Sequence, residues 1–181
     1  MIFFAIFVGF STAQQWCAWD GQVYHAIHDD MQCRSLDHVT NGIGVVSDIR
    51  TNLFVPVALY ALGNDREQQS AKLAVTGLAL SAVTVFSLKT IVNRQRPTGD
   101  YPRWDSSFPS GHTTFAFSTS IIYGNYYPKL MIPLLLYSAL VGFSRIYKGE
   151  HYPTDVLAGI ALGTGISYVV IKFQKKILSF P

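Results

Sequence analysis

The 181 residues leave room for one domain and one active site, and are too few for two ordinary domains. Only 14% of them are charged and 49% are hydrophobic, well under the roughly 25% charged share of an average soluble domain, which favours lipid contact even though the mean hydropathy of +0.24 is modest for a polytopic membrane protein. The net charge of +3 is mild and no basic run forms, which argues against a nucleic-acid surface and suits an anionic substrate.

The chain opens on MIFFAIFVGF, followed by Ser11, Thr12 and Ala13, a small-residue pattern like that at a signal-peptidase site. No Lys or Arg precedes the run, and it is shorter than the ~20 residues that span a bilayer. Residues 1–15 are therefore expected to be a signal peptide or a short anchor, with a buried segment as the remaining option. Residues 16–42 form a polar segment in which Trp16, Trp19, His25, His28 and His38 are scattered among acids. The histidines have no metal-ligand spacing, so surface or capping roles are expected of them and no metal site. Cys17 and Cys33 lie in this same segment, and whether they pair depends on the redox compartment.

From residue 43 to the C-terminus, apolar helical stretches alternate with short polar breaks, and no period-two runs bounded by hairpin turns occur. The fold class expected is all-α, with helices near 43–63, 71–92, 112–127, 130–147 and 154–172. Pro56 is expected to kink the first of these by removing a donor and crowding the preceding turn. Gly63-Asn64-Asp65, Asn125 with Pro128, and the stretch His151 to Asp155 supply turn and cap chemistry between helices. Such short loops force antiparallel neighbours, hence an up-and-down helical bundle over 43–181, embedded in the membrane and with its active site at one end.

Three polar clusters sit at the ends of these helices. Lys89 and Arg96, followed by Pro97, are close to two helical turns apart, and Pro97 disfavours the α conformation at Arg96, so the helix is expected to end there. A helix C-terminus complemented by cations is the plainer reading of that cluster. In Pro109-Ser110-Gly111-His112, the first amides of a helix that starts near His112 lack intrahelical partners and suit a phosphate oxygen; a simple Ser110 cap explains the pattern equally well. In Ser144-Arg145 with His151 and Asp155, the carboxylate lies four residues after the histidine, a spacing that lets it hold one ring nitrogen and leave the other free. Capping of the last helix by Thr154 or Asp155 is the alternative there. Antiparallel topology brings all three clusters to one end of the bundle.

Together these patterns resemble the three-part signature of the type-2 phosphatidic acid phosphatases, the superfamily that also holds bacterial class A acid phosphatases and vanadium haloperoxidases. Every signature position between Lys89 and Asp155 carries the expected residue. The resemblance implies a lipid phosphate monoesterase or diphosphatase. Lys89, Arg96 and Arg145 would clamp the phosphate, with Ser110 and the Gly111 amide completing the cradle. His151 would attack phosphorus to give a phosphohistidine, Asp155 would orient it, and His112 would serve as acid and then base. It implies no cofactor and no metal, since the cations do that work, and inhibition by vanadate. Membrane members usually have six spanning helices, against five counted here plus the leader, and Asp48 and Arg50 suit the helix at 43–63 poorly to crossing a bilayer.

With the leader removed, five crossings would put the catalytic end outside a bacterial cell membrane, facing the periplasm or exterior. Arg66, Lys72, Lys129, Lys172, Lys175 and Lys176 would then lie inside. Tyr101, Trp104, Tyr147 and Tyr152 would surround the outer end, as an interfacial belt or as loop packing. The expected partners are a phosphorylated lipid or isoprenyl diphosphate and membrane lipids, and no nucleic acid. Rival readings are a soluble periplasmic acid phosphatase with the same site, a haloperoxidase, and a non-catalytic phospholipid-binding membrane protein, which would need no His151 paired with Asp155.

Overall fold

The structure, a computed structural model, describes residues 18–99 and 101–179. The expected leader over residues 1–15 lies outside the described residues, as does Cys17 and with it any pairing to Cys33. No strand occurs among the described residues, and the chain is an all-α bundle. In chain order the helices are α1 (Ala18–His28), α2 (Arg34–Val46), α3 (Ile49–Leu62), α4 (Asp65–Val92), α5 (Gly111–Tyr126), α6 (Met131–Tyr147), α7 (Pro153–Lys172) and the short α8 (Gln174–Leu178).

The expected helices near 112–127, 130–147 and 154–172 correspond to α5, α6 and α7 within a residue or so. Helix α4 begins at Asp65 rather than near residue 71, because Asn64 and Glu67 form a capping box whose Glu67 carboxylate accepts the Asn64 amide at 2.9 Å. A continuous helix over 43–63 does not form. It breaks at Ser47 and Asp48, with α2 and α3 meeting at 53°, because Asp48 leaves the α region and accepts the Arg50 amide at 2.9 Å to start α3. Pro56, where the kink was expected, lies inside α3 and is buried.

The polar segment 16–42, outside the expected helices, carries α1 and the greater part of α2. In α1 the inward positions are Asp20, Gly21 and Tyr24, with Ile27 packed on the same cluster. Its buried stripe is therefore led by a carboxylate, which conceals the helical period from a hydrophobicity reading. Both helices are pinned to the end of α6. His28 Nδ1 contacts the Tyr147 carbonyl at 2.7 Å, and the Tyr147 hydroxyl donates to Asp37 at 2.8 Å.

At the centre α5 packs against α4, α6 and α7. The α5–α7 contact depends on two glycines. A Cβ at Gly159 would stand 2.8 Å from the Ser110 carbonyl oxygen, and one at Gly163 would stand 2.6 Å from that of Thr114. Backbone thus meets helix directly, and the start of α5 is drawn onto the start of α7.

Three helical stretches, Asp65–Val92, Pro128–Tyr147 and Pro153–Lys172, are long and apolar enough to cross a bilayer, and the bent pair α2–α3 qualifies as a broken fourth. Four of the five expected crossings thus meet the measure of length and composition, while α5, at 16 residues, is shorter than it asks. Val83, Phe86, Ile91, Ile132, Leu136 and Tyr168 project outward from these helices at more than half exposure. Soluble monomers rarely leave apolar surface of this extent uncovered, and such a surface suits contact with lipid. The protein is a membrane protein.

Candidate active site

The site begins where α4 ends. The helix stops at Val92, four positions before Arg96, because Asn93 takes the left-handed conformation (φ 49°) while its amide still donates to the Lys89 carbonyl at 2.9 Å. Lys89 and Arg96 are therefore not neighbours on one helical face. Lys89 stays on the last turn, and Arg96 is brought round by the loop. The Lys89 ammonium donates to the Ser106 carbonyl, and the Ser106 hydroxyl returns a bond to the Lys89 carbonyl at 2.8 Å.

Arg96 is held on two sides. Its Nε donates to the Asp105 carbonyl at 3.0 Å and its NH2 to the Asp105 carboxylate at 2.5 Å, over the ring of Tyr101 at 4.5 Å. Its NH1 lies 3.7 Å from Glu150 Oε2. Arg145, on the last turn of α6, reaches that same oxygen from the other side at 3.2 Å. Both guanidinium groups thus converge on the residue that precedes His151. Arg145 is buried, and its NH2 has no hydrogen-bond partner among the described residues. Burial alone would raise the Glu150 carboxyl, but the surrounding cations, Arg145 foremost, hold it below the usual carboxylate range.

His151 sits in the turn between α6 and α7, and its amide donates to the Arg145 carbonyl at 3.3 Å. Its imidazole is 2% exposed, with Nδ1 facing Asp155 Oδ2 at 3.8 Å. Burial pushes this imidazole below its ordinary pKa, against the opposing pull of Asp155. Asp155 also does what the plainer reading asked, since its Oδ2 accepts the Tyr152 amide at 2.9 Å and caps α7. The same carboxylate accepts from Ser107 at 2.5 Å and, through Oδ1, from Arg94 NH1 at 2.6 Å.

The start of α5 closes the site. The Ser110 amide donates to the Asp155 carbonyl at 3.0 Å, and its hydroxyl is 2.9 Å from that of Thr113. Ser110 therefore ties α5 to α7 rather than offering its amide to a ligand. The amides of Gly111 and His112 follow at the helix start, where no intrahelical acceptor exists. The half-buried His112 lies within electrostatic reach of Arg145, Glu150, His151 and Asp48.

The structure thus brings together every residue singled out in the sequence: Lys89, Arg96, Ser110, Gly111, His112, Arg145, His151 and Asp155. Sequence reasoning missed Asp105 and Glu150, the carboxylates beside the arginines, and also Ser107, Thr154, Arg94 and Asp20 around Asp155. Arg94 lies inside the first cluster, two residues before Arg96, and was legible as a further cation there. For Asp20 no sequence signal existed. Of the aromatics offered as a belt or as loop packing, Tyr147 and Tyr152 are buried in the packing, whereas Tyr101 and Trp104 are exposed.

Comparison with known proteins places these observations. The profile of the PAP2 superfamily matches residues 70–179. The undecaprenyl-diphosphatase BcrC of Bacillus subtilis is 31% identical over 131 residues, covering 68% of this chain and 68% of that protein. Among solved structures, that of Aquifex aeolicus LpxE superposes with a TM-score of 0.78 at 24% identity, covering 89% of this chain and 99% of the other. The transmembrane PAP2-type phosphatidylglycerolphosphate phosphatase from Bacillus subtilis superposes with a TM-score of 0.71 at 24% identity, covering 99% and 96% respectively. At that identity the two structures speak for the fold, while the profile and BcrC speak for descent. The chain belongs to the PAP2 superfamily and is a phosphatase of the PAP2 type, a phosphoric ester or diphosphate hydrolase.

Proposed function

We propose that this protein hydrolyses a lipid phosphate or diphosphate, foremost an isoprenyl diphosphate, through a phosphohistidine at His151 and without a metal. The observation that carries the reading is the convergence of Arg96 and Arg145 on Glu150 Oε2, beside a buried histidine faced by Asp155. The substrate class follows the likeness to BcrC, whose name states an undecaprenyl diphosphate substrate.

Phosphoryl transfer spreads negative charge over three equatorial oxygens, so most of the catalysis must come from positioned positive charge. Lys89, Arg96 and Arg145 supply it, with the Gly111 and His112 amides at the start of α5. Because Nδ1 of His151 faces Asp155, Nε2 is the attacking atom. Its lone pair forms the P–N bond as the bond from phosphorus to the leaving oxygen breaks, and His112 delivers a proton to that oxygen. In the second half His112 takes a proton from water, the water oxygen attacks phosphorus, and the P–N bond breaks to release inorganic phosphate and restore neutral His151. Asp155 stabilises the positive charge that His151 carries between the two steps.

The catalytic end is proposed to face the cell exterior. Arg66, Lys72, Lys129, Lys172, Lys175 and Lys176 lie toward the opposite end, against Arg94, Arg103 and Lys148 on the catalytic side, a balance that favours a cytoplasmic place for the opposite end. The function is tested by phosphate release from detergent-extracted protein, with and without EDTA, on isoprenyl diphosphates, lipid phosphates and a soluble chromogenic ester. Release from the lipid substrates that persists in EDTA supports the reading, and no release from any substrate contradicts it.

A further inference from the structure

We propose that Asp20, in the first turn of α1, is a positioning residue of the phosphatase site: it offsets the charge of Arg94, so that Arg94 can fix Asp155 without cancelling the negative charge that Asp155 presents to His151. The inference rests on the phosphatase reading above, and it extends the site to a helix that lies outside residues 70–179, the stretch matched by the family profile.

Asp20 is fully buried. Its Oδ2 accepts from Arg94 NH2 at 2.6 Å and from the Thr154 hydroxyl at 2.7 Å, and its Oδ1 accepts the Thr154 amide at 2.9 Å. Arg94, with a side chain 1% exposed, turns its NH1 to Asp155 Oδ1 at 2.6 Å and to the Thr154 hydroxyl at 2.7 Å, and lies 4.1 Å over the ring of Tyr152. One guanidinium thus bridges two buried carboxylates, and only one of these faces His151.

The charge balance decides what this arrangement does. Arg94 and Asp155 alone form a neutral pair, which would give little support to a positively charged phosphohistidine behind it. A second carboxylate on the far side of Arg94 leaves the group with a net negative charge, and its Asp155 end is turned to the imidazole. Docking of α1 does not explain Asp20. Tyr24 and Ile27 already pack with Ile146, Tyr152 and Val156, and His28 already binds the Tyr147 carbonyl. Apolar residues make such a contact without the desolvation cost of a buried ion triad.

The test is the near-isosteric Asp20→Asn variant in detergent, with folding followed by thermal melting. It should lose about tenfold in kcat at unchanged KM, the low end of what outer-shell partners of a functional histidine cost, because Arg94 and Asp155 stand between Asp20 and His151. The acid limb of its kcat/KM profile should move to lower pH. The groups facing His151 are the carboxylates of Asp155 and Glu150, the cations Lys89 and Arg96, and the imidazole of His112, which burial pushes down to about 4. With these unchanged, loss of the Asp20 charge beside Arg94 makes protonation of His151 harder. A purely structural role would lower the melting temperature and leave that limb in place. Should Asp20→Asn not fold, Thr154→Val, which removes the hydroxyl shared by Arg94 and Asp20, should show the same two changes at smaller amplitude. Unchanged kcat with an unmoved acid limb in whichever variant folds overturns the proposal. A wild-type protein that releases no phosphate sinks the phosphatase reading itself, whereas an active wild type beside an equally active Asp20→Asn sinks only the role of Asp20.

Discussion

Asp155 Oδ2 stands 3.8 Å from Nδ1 of His151, with both side chains almost fully buried. That separation is longer than a hydrogen bond, so the carboxylate acts on the ring through its charge. Asp155→Asn keeps the shape and removes the charge that steadies the ring. The expected outcome is a drop in kcat of roughly 10⁴-fold, as for the orienting carboxylates of catalytic triads, with KM little changed. Steady-state kinetics on the purified variant checks it.

The pH profile follows from His151. Burial lowers its pKa below the ordinary 6.5, and Asp155 only partly offsets this. The nucleophile must be neutral, so the acid limb of kcat/KM should lie below that value, with activity retained at mildly acid pH and lost as the imidazole takes up a proton. A limb at or above the ordinary histidine range would show that the ring is not desolvated as described. The same sign applies to stability. A histidine whose folded pKa is depressed contributes stability that is present above its unfolded pKa and declines as pH falls through that value, so the melting temperature should decline in the same acid range.

Removing Arg145 tests the clamp. Arg145→Ala should cost about 10²- to 10³-fold in kcat/KM, the usual loss for one charge-stabilising donor, and should weaken vanadate inhibition in parallel. Arg145→Lys should recover only part of the loss, since an ammonium cannot present two parallel donors. Vanadate affinity that survives Arg145→Ala would mean that the anion binds elsewhere.

The closeness of α5 and α7 is tested at Gly159. A valine there would place its Cβ 2.8 Å from the Ser110 carbonyl oxygen, a backbone atom that cannot swing aside. Gly159→Val should destabilise the protein by about 1–3 kcal/mol, as overpacking does, and lower activity by pushing Ser110 away from Asp155. Thermal melting in detergent together with kcat measures both effects.

Much of the site was legible in the sequence because its chemistry sits at helix ends. Lys89, Arg145 and Asp155 lie in first or last turns that the apolar period and the polar breaks locate, and antiparallel connection gathers them. The break at Ser47–Asp48 was not legible, because Pro56 is the stronger helix breaker by propensity, yet the Asp48 side chain caps a new helix. Helix α1 was hidden for a related reason: its inward stripe starts with Asp20, whose burial is tolerable only because Arg94, far along the chain, meets it. The carboxylates beside the arginines, Asp105 and Glu150, depend on loop conformations that no periodic pattern encodes.

The central claim is that phosphate passes through His151, and rapid acid-free quenching of the protein during turnover of a diphosphate labelled with ³²P in the phosphoryl group that is cleaved off tests it most directly. Label retained on the wild-type chain at His151, stable to alkali and released by acid, and absent from His151→Ala is the expected result. Steady turnover by His151→Ala, or label on any other residue, would contradict the account.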